Sequence, residues 1–205
     1  MKKNTISVFV VVLMIAVLTL GGCGQKGPEP SESNIGIVVP RTIEFETGEA
    51  TISVPDNWEV IPDSGTDVPL TVQTYNLDVL PPMAEKTVGI VTIGETLGGE
   101  ALSEEDFESL VTSRVEMLLD NAVEETANYA EMPIEGGYGV FCILTDSDLV
   151  GKTTKPDEYL YLAVFFANHD NGWITYASLL TDDCDSDSFK MLLLAVAGIK
   201  ASFDS

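Results

Sequence analysis

Alternating apolar and polar positions predict that the folded part of this chain begins with a β-hairpin. Residues 42–46 and residues 50–54 both alternate, and Thr47-Gly48 between them suits a tight turn. A second hairpin is predicted from residues 159–167 and 173–180, whose connection contains Asn171-Gly172, a pair favoured where the backbone needs positive φ. Further strands are predicted over residues 70–75, 87–93, 124–131 and 138–145.

Two other segments repeat apolar residues at the helical period. The first begins at Ser103, which can cap a helix and is followed by three acidic residues that suit its first turn. The second closes the chain and is expected to be capped by Asp185 or Asp187. The buried face of the first helix comprises Phe107, Leu110, Val111, Val115, Leu118 and Leu119, and that of the second comprises Phe189, Leu192, Leu193, Val196 and Ile199. The order of elements predicts an α+β fold with helices packed on one mostly antiparallel sheet.

The N-terminus has a different pattern, which predicts a signal peptide over residues 1–22. Two lysines precede an apolar run over residues 6–20 that is short for a membrane span, and two glycines then precede Cys23. This resembles the bacterial lipoprotein signal, in which the cysteine thiol receives a diacylglycerol and becomes the first residue of the mature chain. An uncleaved signal-anchor helix is the alternative, but charge, run length and the residues before Cys23 all favour lipidation.

Residues 23–34 are rich in Gly, Pro, Ser and Glu, which predicts a disordered tether between the lipid anchor and a single domain over residues 35–205. The expected location is therefore extracytoplasmic, on the cell membrane. The formal net charge of −23 becomes −25 when Lys2 and Lys3 leave with the signal peptide. Such acidity opposes binding to nucleic acid and favours basic partners or multivalent cations. The alternative is that the charge only keeps the protein soluble.

Two cysteines remain beyond the lipidation site. Cys142 lies in an apolar run and is expected to be a buried thiol, whereas Cys184 lies among aspartates that should raise its pKa. An exported protein is able to form disulfides, so a Cys142–Cys184 bridge is the alternative arrangement, which the spacing alone does not decide.

Two short patterns resemble the PsbP-like fold. They are Val54-Pro55-Asp56-Asn57-Trp58 after the first hairpin and Ile199-Lys200-Ala201-Ser202-Phe203 at the end of the last helix. Together with the order of elements, the resemblance covers residues 35–203. The fold group includes an extrinsic photosystem II subunit, the bacterial lipoprotein DcrB and a Ran-binding nuclear-transport factor. Both patterns are structural, so the resemblance implies a binding or assembly module and assigns no functional residue.

No catalytic residues are predicted. His169, the only histidine, lies in a turn beside Asp170 without a nucleophile elbow, and an exposed turn histidine is expected there. A cation site is harder to exclude, because alternating aspartates near the start of the closing helix begin like a calcium loop. The segment lacks the glycine and glutamate of an EF-hand, so it is not an EF-hand. An irregular calcium site would use Asp182, Asp183, Asp185 and Asp187, and acidic capping of the closing helix is the alternative.

Three functions remain open at this point. The sequence favours a non-enzymatic, lipid-anchored module that binds or supports another envelope protein. The second hypothesis is a tethered binder of calcium or a small cationic ligand. The third is a glycosidase with dispersed carboxylates, which would need two carboxyl groups about 5–10 Å apart in a cleft.

Overall fold

Ten strands and two long helices make up the part of the chain that the structure describes. The structure is a computed structural model, and it describes residues 36–64 and 68–203. The strands are β1 (Val38–Phe45), β2 (Gly48–Pro55), β3 (Glu59–Ser64), β4 (Thr71–Leu80), β5 (Thr87–Thr96), β6 (Ala130–Ile134), β7 (Gly137–Thr145), β8 (Tyr161–His169), β9 (Trp173–Thr181) and β10 (Lys200–Phe203). The helices are α1 (Glu104–Leu119) and α2 (Asp187–Ala197), and Met83–Glu85 forms one 3-10 turn.

Seven of the strands form one sheet in the order β3-β4-β5-β9-β8-β7-β6. Every neighbouring pair in it is antiparallel. The long hairpin β8–β9 lies at its centre, in register from Tyr161 opposite Thr181 to His169 opposite Trp173. The α+β prediction is therefore confirmed, with a mostly antiparallel sheet and helices packed on it.

Helix α1 covers one face of this sheet. Alternation along β7 and β8 points Cys142 and Val164 toward α1, where they join a core cluster with its apolar residues. The cluster comprises Phe107, Val111, Val115, Val140, Cys142, Leu144, Val164 and Phe166. Ser103 caps α1 as predicted, because its side chain accepts a hydrogen bond from the Asp106 N–H at 3.2 Å.

The opposite face is covered by α2 and by a second, smaller sheet. That sheet has the order β1-β2-β10, which corrects the prediction of a single sheet. Tyr75 of β4 connects the two sheets: its ring stacks on Phe45 at a centroid distance of 4.2 Å, and Thr47 lies within hydrogen-bonding distance of its hydroxyl. On α2, Leu192 packs so closely over Gly89 of β5 that a Cβ at that glycine would lie 2.9 Å from it.

Four other details differ from the sequence-based expectations. Strands β3 and β10 were not expected, and residues 124–129 do not form the predicted strand, since β6 begins only at Ala130. Ser186, not an aspartate, caps α2 by accepting a hydrogen bond from the Phe189 N–H.

The described residues include no helix long and apolar enough to cross a membrane. The predicted signal peptide over residues 1–22, Cys23 and the tether over residues 23–34 all lie outside the described residues.

Candidate functional site

An open groove of about 770 Å³ lies between the N-terminal half of α1 and the β6–β7 side of the large sheet. We call it the acidic groove. Its lining residues are Ala101, Leu102, Glu104, Phe107, Glu108, Val111, Thr112, Tyr129, Glu131, Gly137, Tyr138, Val140, Asn168 and Asp170. Four of these residues are acidic and none is basic, whereas the floor is apolar. The groove therefore offers negative charge around a surface on which a ligand can pack.

The start of α1 is held in place by a local cap and by hydrogen bonds to a distant strand. Its N-cap, Ser103, fixes the first turn, and Glu104 and Glu108 are four residues apart, on one face of the helix. Leu102, the residue before the cap, is tied to β8 by two hydrogen bonds. The Leu102 N–H donates to Asn168 Oδ1 at 2.9 Å, and Asn168 Nδ2 donates to the Leu102 carbonyl at 2.8 Å. One wall of the groove is thus fixed relative to the sheet.

Two tyrosines provide exposed aromatic surface in the groove. Tyr138 on β7 is 48% exposed, and Tyr129 just before β6 is 45% exposed. The ring of Tyr138 meets buried Phe107 edge to face, with centroids 5.9 Å apart. Since Phe107 is part of the core, this contact holds the Tyr138 ring in position while one side remains open to a ligand.

The groove carboxylates surround Tyr138 electrostatically. Partial burial raises the pKa of Tyr138 above its ordinary value, and the charges of Glu131, Glu108 and Glu104 raise it further. Across the described residues, none of the four groove carboxylates takes part in an ion pair. This negative field is therefore available to a cation from outside the chain.

The aspartates predicted for calcium lie between the end of β9 and the first turn of α2. Asp182 forms an ion pair with Lys86, whose Nζ donates to it at 2.7 Å, and the Asp183 carboxylate accepts a hydrogen bond from the backbone N–H of Asp185 at 2.8 Å. Asp187 lies in the first turn of α2. Over residues 36–64 and 68–203, no group of three or more His, Cys, Asp or Glu side chains is arranged to hold a metal ion.

Asp182 belongs to a group of oxygen atoms around the ammonium of Lys86. Five oxygen atoms lie within 3.5 Å of Lys86 Nζ. They are Asp182 Oδ2, the hydroxyl and carbonyl oxygens of Thr154, and the carbonyl oxygens of Lys155 and Glu158. Burial alone would raise the pKa of Asp182, but hydrogen bonds from Lys86, Thr154 and the Leu160 N–H outweigh it and hold that pKa below the ordinary value. An internal ammonium thus neutralises this carboxylate.

Both cysteines are buried thiols, and no disulfide joins them in the structure. Cys142 lies in the middle of β7 beneath α1, whereas Cys184 follows the end of β9. Burial, reinforced by Glu124, raises the pKa of Cys142 to about 11, which makes it a poor nucleophile. The expectation of a buried Cys142 is confirmed.

The expectation of an exposed turn histidine is wrong. His169 is the last residue of β8 and is 3% exposed; its ring stacks on Trp173 at a centroid distance of 3.3 Å, and its Nε2 lies 3.2 Å from the Thr175 hydroxyl. Burial lowers its pKa to about 4. The histidine is thus a neutral core residue without access to a substrate.

The sequence predicted the acidic start of α1 only as residues that suit the first turn of a helix. Glu131 and Tyr129 were not singled out, and Asp170 was considered only as the neighbour of His169. Only the spacing of Glu104 and Glu108 was visible locally, and it does not reveal that Tyr138 lies opposite.

Comparison with protein-family models finds no match to this chain, and comparison with curated proteins finds no similar sequence.

Proposed function

We propose that this protein is a non-enzymatic, lipid-anchored module that binds another envelope protein through the acidic groove. The observation that carries the proposal is the exposed pair Tyr129 and Tyr138 in a groove whose carboxylates have no internal cation. Exposed aromatic rings at a recess are typical of protein-binding surfaces, where they supply a large contact area at a low entropic cost.

The proposed location rests on the N-terminal sequence. Lipidation of Cys23 would supply two acyl chains, which is enough for durable attachment to a bilayer, and residues 23–34 would act as the tether. The acidic domain is repelled by anionic headgroups, so the groove would stay accessible to neighbouring proteins.

A PsbP-like fold is part of the same proposal. Its support is the position of the two quoted patterns: Trp58 is 3% exposed directly after the β1–β2 hairpin, and Lys200–Phe203 pairs with β2 as strand β10. A binding role without a shared active site is what that resemblance implies.

We propose that the protein is not an enzyme because of where its histidine and its groove carboxylates lie. The histidine is buried against Trp173, so it is not positioned for proton transfer to a substrate. The four groove carboxylates are all exposed, whereas a glycosidase acid needs a pKa raised by burial.

The experiment is co-purification of the full lipidated protein from cross-linked membranes. We expect a stoichiometric membrane protein that is lost with Tyr138→Ala and with the mislocalised Cys23→Ser variant. Met83→Ala is the matched control, because Met83 is 89% exposed and lies outside the groove. Recovery of the same partner with Tyr138→Ala would show that the groove is not the docking surface.

A tethered binder of a small cationic ligand is the second candidate. The observation that favours it is again the convergence of carboxylates around an open recess. Calcium at Asp182, Asp183, Asp185 and Asp187 remains a prediction with a direct test. Calcium at low millimolar concentration should raise the melting temperature of the full-length protein, and the double variant Asp185→Asn/Asp187→Asn should not respond.

A further inference from the structure

We infer that the occupant of the acidic groove is an arginine-bearing segment of the partner protein, bound with its guanidinium over the ring of Tyr138. This inference rests on the proposed binding function and names the chemistry that the groove recognises. It commits to a basic segment of a protein, as distinct from a free polyamine or a metal ion.

The charge of the groove determines the sign of its occupant. Glu104 and Glu108 line the α1 wall, Glu131 lies on β6, and Asp170 follows β8. No lysine or arginine lines the recess, and none of these carboxylates has an ion-pair partner among the described residues. A cation entering the groove therefore gains attraction without displacing a residue of this chain.

The aromatic surface favours arginine over lysine. Tyr138 is held from one side by Phe107 and remains 48% exposed, so a planar cation can lie on its ring. A guanidinium stacks on aromatic faces, is more weakly hydrated than an ammonium, and presents a planar fork that matches carboxylates. Glu108 on α1 and Glu131 on β6 both line the groove, so each of its walls carries a carboxylate.

The size of the groove suits side chains of a peptide segment. Its volume of about 770 Å³ lies within the range of ordinary binding pockets, and Tyr129 extends the aromatic surface beyond Tyr138. Val111 and Val140, both buried, contribute apolar floor against which the methylenes of an arginine stem can pack.

The test uses the mature lipidated protein in uncharged detergent micelles and titrates it with tetra-arginine amide, tetra-lysine amide and spermidine at about 50 mM salt. We expect tetra-arginine to bind at least tenfold more tightly than either other probe. Tyr138→Ala and Glu108→Lys should each weaken tetra-arginine binding at least tenfold, and Tyr138→Phe, which keeps the ring, should retain it.

Glu46→Lys is the matched control, because Glu46 is an exposed acid in the β1–β2 turn. Its substitution changes the net charge by the same amount as Glu108→Lys. Equal weakening by these two variants would reduce the effect to overall charge and overturn the inference. Equal affinity for tetra-lysine or spermidine would overturn the assignment to arginine. If tetra-arginine does not bind while co-purification still depends on Tyr138, the inference fails and the proposed function stands.

Discussion

At the scale of single residues, His169 couples the stability of the fold to pH. Its pKa is about 4 in the folded protein, compared with about 6.5 for an exposed histidine. The unfolded chain therefore takes up this proton first as the pH falls. The stability that the neutral ring provides is complete above pH 6.5 and is lost as the pH falls toward 4. Between pH 6.5 and pH 4 we expect the free energy of unfolding to fall by up to about 3 kcal/mol because of His169. Urea unfolding at a series of pH values measures this change.

The control is His169→Phe, which keeps an aromatic ring against Trp173 and removes the titrating group. Carboxylates contribute equally to the pH dependence of both proteins, so the difference between the two profiles isolates the histidine. Parallel profiles between pH 7 and 4 would contradict the prediction.

Gly172 is required in the β8–β9 turn for two separate reasons. Its φ is +81°, and a Cβ at this position would lie 2.1 Å from the carbonyl oxygen of Gly99. Gly136 has a similar φ of +70° but open space around it. We expect Gly136→Ala to cost about 1 kcal/mol, from backbone conformation alone. Gly172→Ala should cost at least about 2 kcal/mol more, because backbone must move. Equal costs in urea unfolding would show that the close approach is unimportant.

At the scale of elements, Lys86 joins the start of β5 to the end of β9 and to the loop over residues 146–160. Replacing it by methionine removes the cation from Asp182 and from the oxygen atoms of Thr154, Lys155 and Glu158. We expect Lys86→Met to destabilise the protein by about 1–3 kcal/mol, because a partly buried carboxylate loses its charged partner. Amide hydrogen exchange should become faster across residues 146–160.

Lys155→Met provides the comparison within the same loop. Lys155 is an exposed residue whose ion pair with Glu158 spans 2.6 Å, and exposed pairs of this kind contribute little to stability because solvent screens them. Loop exchange should therefore be nearly unchanged. An equal acceleration in both variants would mean that Lys86 does not hold the loop.

Sequence periodicity predicted the elements whose burial is one-sided and continuous. Helix α1 and hairpin β8–β9 were predicted within about two residues, since the caps and the Asn-Gly turn are local signals. Strand β3 was missed because it lies at a sheet edge, contains Pro62 and leaves Ile61 44% exposed, so it lacks a clear apolar face. Strand β10 was missed because its four residues owe their conformation to pairing with β2.

At the scale of the whole molecule, the candidate site depends on long-range pairing that the sequence does not display. Glu108 is on α1, Glu131 on β6 and Tyr138 on β7, and they line one groove only because α1 lies beside the β6–β7 hairpin at the edge of the large sheet. The sequence shows the residue types of the groove and the excess of acidic over basic residues. Which of the 33 acidic residues matter was decided by tertiary structure.

The net charge of −23 predicts that salt acts in opposite directions on folding and on binding. Self-repulsion among acidic residues destabilises the compact state, whereas attraction by the groove carboxylates would hold a basic probe. The screening length shrinks from about 30 Å at 0.01 M salt to about 3 Å at 1 M. We therefore expect sodium chloride to raise the melting temperature of the full-length protein over this range while it weakens tetra-arginine binding.

Both quantities should be measured on the same samples, by thermal unfolding and by titration. Chloride is preferred to sulfate, because sulfate stabilises proteins through exclusion from their surface as well as through screening. A melting temperature that falls with salt would mean that internal ion pairs, such as Lys86 with Asp182, outweigh the repulsion. Binding that does not depend on salt would place the attraction in the Tyr138 ring and not in the carboxylates around it.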